Sequence, residues 1–224
     1  MTASYNHRQT TIFAFIGMLG GLLCSLADYL LEFLGQESVV LGRYGVTESA
    51  WQFLAPWRFP ASIWIACFAV PMIALGYLAI ARQMRGTNPA LGSAFGASSL
   101  VGVLGGLFIH ILLCVLPIAY QFLLTYASQG IAVATVDAMM DAVFVPFLLY
   151  YALMVLVPMV LWCVYAIGRG SLYHRGLALG VVGFSLLCFL LSLLIPQLEW
   201  LGVGSVSRMV ALWCFVAWRT ERGR

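Results

Sequence analysis

Six apolar stretches, each long enough to cross a lipid bilayer, run through this chain and separate its few charged residues. An α-helix rises about 1.5 Å per residue, so about 20 apolar residues cover the hydrocarbon core of a bilayer. By this length criterion the stretches fall at about residues 11–34, 60–81, 90–119, 142–168, 176–196 and 200–218. The pattern predicts an all-α fold: a polytopic membrane helix bundle with six transmembrane helices.

The composition excludes a water-soluble fold. Hydrophobic residues make up 63% of the 224-residue chain and charged residues only 8%, against about 25% in ordinary soluble domains. Six spans and their short loops use nearly the whole length, so residues 1–224 are predicted to form a single integral membrane domain. The largest basic patch, the tail Arg219–Arg224, is too small for a nucleic-acid surface. The predicted partner is the lipid bilayer, and nucleic acid is excluded.

The distribution of charge predicts the orientation of the bundle. Cytoplasmic loops carry an excess of Arg and Lys, and this chain has Arg but no Lys. Most Arg residues fall on one predicted side: Arg8, Arg82, Arg85, Arg169, Arg175, Arg219, Arg222 and Arg224. Most acids fall at or near the other: Asp28, Glu32, Glu37, Glu48, Asp137, Asp141 and Glu199. Both termini are therefore predicted to be cytoplasmic. The absence of Lys, which is typical of a GC-rich genome, indicates a bacterial inner membrane.

Small residues predict how the helices pack. Each predicted span holds one Cys, without CxxC or Cys–His spacing, so these side chains are expected to fill space and no metal is predicted: Cys24, Cys67, Cys114, Cys163, Cys188 and Cys214. Glycine pairs at GxxxG spacing predict close helix contacts on the first, third and fifth spans: Gly17 and Gly21, Gly102 and Gly106, and Gly176 and Gly180. The pairs leave open whether the chain forms an oligomer.

Arg208 lies near the middle of the sixth predicted span, where a charged side chain is costly. Asp28 lies in the outer third of the first span, with Glu32 one helical turn further on the same face, and it is the obvious counter-ion. Three interpretations stay open. Asp28 and Arg208 form a structural ion pair, or both line a ligand or proton site, or Arg208 reaches the membrane interface along its own stem.

His110 is the only His within a predicted span. It is interpreted as a hydrogen-bonded core residue, as a ligand-contacting or proton-relay residue, or as a metal ligand together with Asp28 and Glu32. Asp137 and Asp141 lie one turn apart at the predicted start of the fourth helix. Acids at a helix N-terminus complement the helix dipole, which is the simplest role for both. Asp141 is also kept as a ligand-site candidate.

The predicted outer loop, residues 35–59, is rich in aromatic side chains. Trp51, Phe53, Leu54 and Trp57 alternate with polar residues, which is typical of a segment at the level of the lipid head groups. Such a segment either anchors the protein in the interface or forms a lid over an outward-facing cavity.

The first span carries Gly20-Gly21 followed by Asp28-Tyr29-Leu30-Leu31. This Gly-Gly and Asp-x-Leu-Leu pattern resembles an uncharacterised family of small bacterial integral membrane proteins, and the resemblance extends over most of the chain through the six-helix layout. The resemblance implies the fold and the importance of Asp28, and it implies no activity.

No motif identifies a reaction or a cofactor, and neither HExxH, GxSxG nor a Ser–His pairing is visible. The leading hypothesis is an inner-membrane protein with an outward-facing polar cavity between the first, third, fourth and sixth helices. That cavity would bind or transport a small amphiphilic or lipid-like molecule. Its predicted ligand-binding residues are Asp28, Glu32, His110, Asp141 and Arg208. The alternatives are an intramembrane enzyme that uses His110 and the acids, and a non-catalytic subunit of a membrane complex.

Overall fold

The computed structural model describes residues 6–35, 37–168, 170–195 and 198–223, and it is an all-α bundle. Its helices are α1 His7–Glu32, α2 Arg58–Thr87, α3 Pro89–Leu124, α4 Gln129–Tyr151, α5 Val157–Ile167, α6 Arg175–Leu194, α7 Glu199–Gly202 and α8 Ser205–Arg222. A π-helical turn, Ala152–Leu156, joins α4 to α5. The loop after α1 holds an antiparallel hairpin, β1 Val40–Leu41 with β2 Thr47–Glu48, and a 3-10 helix, Ser49–Phe53.

Five helices of the described ranges are long and apolar enough to cross a membrane: α1, α2, α3, the continuous α4–α5 segment and α6. Their positions match the first five predicted spans. The fourth begins at Gln129, well before residue 142, because polar Thr135, Asp137 and Asp141 interrupt the apolar run without breaking the helix. The third continues to Leu124 past the internal Pro117.

The segment of the sixth predicted span is divided into two helices. Gly204 has a φ of +65°, a left-handed conformation that glycine adopts at low cost, and it separates α7 from α8. A Cβ at Gly204 would also lie 2.6 Å from the Ser25 Oγ atom of α1. Helix α8 therefore begins beside the C-terminal part of α1, and its apolar part is shorter than the sequence pattern predicted.

Helix α1 packs between α2 and α8, and glycines allow the close approach. A Cβ on Gly17 would lie 2.3 Å from the Gly76 Cα atom of α2, and one on Gly21 would lie 2.7 Å from the Ala211 backbone nitrogen of α8. The pair on α3 likewise faces the π-helical turn. The third pair differs, because nothing lies within 4 Å of a Cβ at Gly180 on α6.

Arg58 closes the end of α1 that lies nearest the loop. The last carbonyl groups of a helix have no partner within the helix. The Arg58 Nε atom donates to the Leu30 carbonyl oxygen at 2.9 Å, and its guanidinium group also donates to Tyr29 at 3.3 Å and to Phe33. The first residue of α2 thus fixes where α1 ends.

Part of the loop is buried. Trp51 and Leu54 are each 7% exposed and pack in a cluster with Tyr120, while Gln121 Nε2 donates to both of their carbonyl oxygens at 2.7 and 2.8 Å. Phe53, by contrast, is 71% exposed. The segment that the sequence predicted to be interfacial is therefore divided. Trp51 and Leu54 are buried against α3, whereas Phe53 and Trp57 are exposed.

Asp137 and Asp141 hold the hairpin against α4. The Asp137 carboxylate accepts the backbone N–H of Arg43 at 3.0 and 3.1 Å, and Asp141 accepts the Arg43 guanidinium group and the Tyr44 hydroxyl. The Asp141 hydrogen bond raises the pKa of Tyr44, which keeps the hydroxyl protonated as a donor. Because α4 begins at Gln129, both acids lie beyond its first two turns, so the predicted role at a helix N-terminus is wrong.

A buried polar cluster fixes the C-terminal end of α8, at the end of the bundle opposite the hairpin. Glu221 is fully buried; Gln83 Nε2 donates to its Oε2 atom at 2.8 Å and to the Ala217 carbonyl oxygen at 2.9 Å. The Tyr173 hydroxyl donates to Gln83 Oε1 at 2.7 Å, and His7 Nδ1 lies 2.6 Å from Glu221 Oε1. These contacts join the termini of the chain to α2, so the last turn of α8 is held in the core.

Candidate functional site

A cavity of about 280 Å³ lies between α1, α3, the π-helical turn and the first turns of α8. Its walls are mainly apolar side chains, among them Val70, Ile109, Phe147, Phe189 and Val210. Its polar lining residues are Asp28, Glu32, Tyr77, His110, Tyr151, Ser205 and Ser207. An apolar pocket with a few polar groups is the usual form of a small-molecule site, and this volume is near the lower limit for such sites.

The break at Gly204 brings α8 to the acids of α1. The Ser207 Oγ atom donates to Asp28 Oδ2 at 2.6 Å. Because α8 begins at Ser205, its first-turn N–H groups and the positive end of its dipole lie on this side of the bundle, where they favour carboxylates. The break at Gly204 thus ends α7 and places the first turn of α8, with Ser207, beside Asp28 at the cavity.

His110 lies between Asp28 and Ser62 and is 7% exposed. Its Nε2 atom is 2.8 Å from Ser62 Oγ, and its Nδ1 atom is 3.5 Å from Asp28 Oδ1. The Ser62 hydroxyl donates its one proton to the Ala27 carbonyl oxygen at 2.7 Å, so Nε2 must be the donor to Ser62. The Nδ1 atom of the same ring then faces the Asp28 carboxyl group.

This arrangement contains a Ser, a His and an Asp in contact, which the sequence did not reveal. In acyl-transfer enzymes the Ser hydroxyl donates to His, which acts as the general base. Here the hydroxyl proton of Ser62 is directed to a backbone carbonyl, and Ser62 is fully buried outside the cavity lining. The geometry therefore positions His110 and does not activate Ser62 as a nucleophile.

Glu32 lies one helical turn beyond Asp28 and remains accessible, because its side chain faces the cavity. It is close enough to Asp28 and His110 to interact electrostatically with both. No cationic side chain forms an ion pair with Glu32 in the portions of the chain that the structure describes. It is the carboxylate of the cavity that has no counter-ion.

The π-helical turn gives the cavity its far wall. A Cβ on Gly102 would lie 2.3 Å from the Met154 backbone nitrogen, so α3 approaches this turn at backbone distance. The Tyr77 hydroxyl donates to the Met154 carbonyl oxygen at 2.9 Å. Such turns leave backbone groups outside the regular helical ladder and occur frequently at functional sites. Here the turn places Met154 and Val155 in the cavity lining.

Three of the five predicted site residues line this cavity together: Asp28, Glu32 and His110. The other two lie elsewhere. Asp141 binds the hairpin, and the Arg208 guanidinium group donates to the Leu201 carbonyl oxygen at the end of α7. Arg208 and Asp28, both within the described residues, form no ion pair. The proposed pairing is therefore replaced by Asp28 with His110 and Ser207.

The sequence pointed to some of the remaining cavity residues. Ser205 and Ser207 lie next to the intramembrane Arg208 in the sequence, and Tyr151 is one of two adjacent tyrosines. Ser62 gave no signal, since a Ser near a helix start is common and its partner is 48 positions away. Among the described residues, no group of three or more His, Cys, Asp or Glu is placed to hold a metal ion.

Comparison with known proteins assigns the chain to a family. No curated protein and no solved structure matches the chain. The sequence profile of DUF6796, a family of unknown function, matches residues 5–216. Because the match covers nearly the whole chain, the protein belongs to the DUF6796 family.

Proposed function

We propose that this protein is a six-span bacterial inner-membrane protein whose outward-facing cavity binds or transports a small amphiphile or lipid-like molecule. The observation that carries the proposal is the cavity itself. About 280 Å³ of space has apolar walls, and its Asp28, His110 and Ser207 side chains form one connected polar cluster. A molecule with one polar end and one apolar end matches that distribution.

The surroundings of the cavity provide a route for an apolar chain. Helix α4 packs against α3, whereas α6 packs against α5, α7 and α8. On this side the cavity lining includes Tyr151 and Phe189, which are themselves 36% and 47% exposed. With the polar head group of a ligand at the polar cluster, its apolar chain would extend between α4 and α6 toward the lipid. The cavity therefore needs to enclose only part of the ligand.

A larger side chain in the cavity should abolish binding of an uncharged amphiphile. Val206 is half-buried and lines the cavity, so Val206→Phe should occupy the space of the ligand. Decanol is the probe, titrated into the protein in a mild maltoside detergent and observed by native mass spectrometry. We expect wild type to bind decanol and Val206→Phe to bind it at least about tenfold more weakly, which corresponds to about 1.4 kcal/mol.

The matched control is Val145→Phe, which makes the same change at a 74% exposed position. That variant should bind decanol as wild type does. Equal binding by Val206→Phe and Val145→Phe would show that decanol does not occupy the cavity, and the proposed function would then lose its support.

The proposed orientation has the cavity facing outward and both termini in the cytoplasm. In a background without the six native Cys residues, Glu37→Cys and Gly130→Cys should react with an impermeant thiol reagent added outside. Gly86→Cys should not react, because it follows the Arg82 and Arg85 end of α2, and Arg-rich ends face the cytoplasm. All three positions are exposed in the bundle. If Gly86→Cys alone reacted with the reagent, the orientation would be the reverse of the one proposed.

A further inference from the structure

We infer that the cavity selects a ligand with a protonated amine at its polar end, an inference that rests on the proposed amphiphile binding. The ligand class follows from three polar groups of the cavity that no other side chain of the described residues binds. Those groups can accept hydrogen bonds, one of them is a carboxylate, and none brings a positive charge.

One of the two acids of the cavity forms no ion pair with any side chain of the described residues. Asp28 has His110 as a partner, with the His110 Nδ1 atom 3.5 Å from the Asp28 Oδ1 atom. The positive end of α8 lies near these acids, but the negative end of α1, which terminates at Glu32, lies there as well. These opposite helix ends each carry about half a unit charge and offset one another. The remaining acid is Glu32, and a cation bound beside it would favour its carboxylate form.

The Arg residues on this side of the bundle have other partners. Arg43 binds Asp141, Arg58 binds the carbonyl groups at the end of α1, and Arg208 binds the Leu201 carbonyl oxygen. The protein thus holds its nearby cations away from Glu32, with hydrogen bonds that each of them would have to break. A cation from outside the chain is the remaining way to balance the carboxylate.

Ser205 provides an independent indication of a ligand. The residue is only 5% exposed and lines the cavity. Its hydroxyl makes no hydrogen bond within the described residues and is not enclosed by protein on all sides, so it is open to the cavity. Tyr151 lines the same cavity, and its hydroxyl makes no hydrogen bond within the described residues. Glu32, Ser205 and Tyr151 are three acceptors, and a primary ammonium group has three N–H donors.

The test compares probes with the same apolar chain and different polar ends: decylamine, decyltrimethylammonium, decanoate and decanol. Dissociation constants are measured at neutral pH by native mass spectrometry in a neutral maltoside detergent. Decylamine should bind at least about tenfold more tightly than decanol, because hydrogen bonds to charged groups are about 1.5–3 kcal/mol in strength. Decyltrimethylammonium, which has the charge but no N–H donors, should bind less tightly than decylamine, and decanoate should bind least.

Two variants connect this preference to the residues. Glu32→Gln should weaken decylamine binding by about tenfold and leave decanol binding within about twofold, because Gln keeps the shape and loses the charge. The backbone of Gly204 is close to the Glu32 carboxylate, and Gln can accept from it as well. Ser205→Ala should weaken decylamine by a smaller factor, and it removes no protein hydrogen bond, so folding is preserved. Glu37→Gln, an exposed acid outside the cavity, is the matched control and should change nothing.

The outcomes separate this inference from the function on which it rests. If decanol or decanoate binds as tightly as decylamine, or if Glu32→Gln binds decylamine unchanged, amine selectivity is overturned while amphiphile binding stands. If none of the probes binds, the proposed function itself fails. A short-chain phosphatidylethanolamine then identifies the source of the amine. If this lipid binds as tightly as decylamine, the natural ligand is a lipid head group. If the lipid does not bind, the natural ligand is a free alkylamine.

Discussion

Asp28→Leu should lower the free energy of unfolding by about 2–4 kcal/mol, because Asp28 is the acceptor that holds the polar cluster together. The substitution would leave the Ser207 hydroxyl without the oxygen that lies 2.6 Å away, and His110 without its carboxylate partner. Both groups are buried, so water replaces these contacts only in part. Reversible unfolding in mixed dodecyl maltoside and dodecyl sulfate measures the change.

A double-mutant cycle identifies the partner of Asp28. His110→Leu should also destabilise the protein, and the double variant with Asp28→Leu should lose at least about 1 kcal/mol less than the sum of the single changes. Arg208→Gln combined with Asp28→Leu should be additive within about 0.5 kcal/mol, because Arg208 binds the Leu201 carbonyl oxygen. Glu37→Leu, on the exposed loop, is the control for loss of an acid.

Coupling of Asp28 to Arg208 and not to His110 would contradict the geometry of the cluster. It would restore the ion pair that the sequence alone favoured. Coupling to neither residue would mean that Asp28 is solvated by water in the cavity, and the single substitution should then cost well under about 1 kcal/mol.

The apolar spans were predictable because hydrophobicity and length act locally along the chain. A stretch such as residues 60–81 needs no information about its neighbours to be identified as a helix, and it lies inside α2, Arg58–Thr87. The segment 200–218 shows the limit of that reasoning. Gly204 adopts a left-handed conformation beside Ser25 of α1, and a hydropathy pattern contains neither that conformation nor that contact.

The site was predictable in part for the same reason. Asp28, Glu32 and His110 were recognised because each is polar within an apolar span, and all three line one cavity. Which polar groups contact one another depends on the rotation of each helix about its axis. Arg208 and Ser207 are neighbours in sequence, yet α8 directs Ser207 to Asp28 and Arg208 to the end of α7. Adjacent positions on a helix face different directions, and only packing determines which one faces α1.

Asp141 illustrates a second limit. Its role was inferred from a predicted helix start, and element boundaries are the least certain part of sequence-based prediction. Once α4 begins at Gln129, the two acids lie in the helix body, where Arg43 and Tyr44 of a distant loop bind them. The pairing spans nearly 100 positions, so no local pattern could indicate it.

Gly17→Ala should lower the stability of the protein, whereas Gly180→Ala should leave it unchanged or raise it. Both glycines belong to a GxxxG pair. A Cβ at Gly17 would lie 2.3 Å from the Gly76 Cα atom, far inside van der Waals contact, and both atoms belong to rigid helices. The helices α1 and α2 must therefore separate, and the packing lost along their contact should cost about 3 kcal/mol. At Gly180 a Cβ has nothing within 4 Å. Ala is the better helix former there, so stability should be unchanged or rise by up to about 1 kcal/mol.

The same reversible unfolding in mixed detergents compares the two variants with wild type. Gly76→Ala should reproduce the loss, because its Cβ would lie 2.8 Å from the Gly17 Cα atom and 2.5 Å from the Cys214 Sγ atom. A decrease for Gly180→Ala similar to that for Gly17→Ala would indicate that α6 uses this glycine in a contact with another protein chain, because no described residue of another helix lies within 4 Å of a Cβ at Gly180. A neutral result for Gly17→Ala would mean that α1 and α2 lie further apart in the membrane than in this structure. The cavity, whose walls include residues of both helices, would then have a volume larger than about 280 Å³.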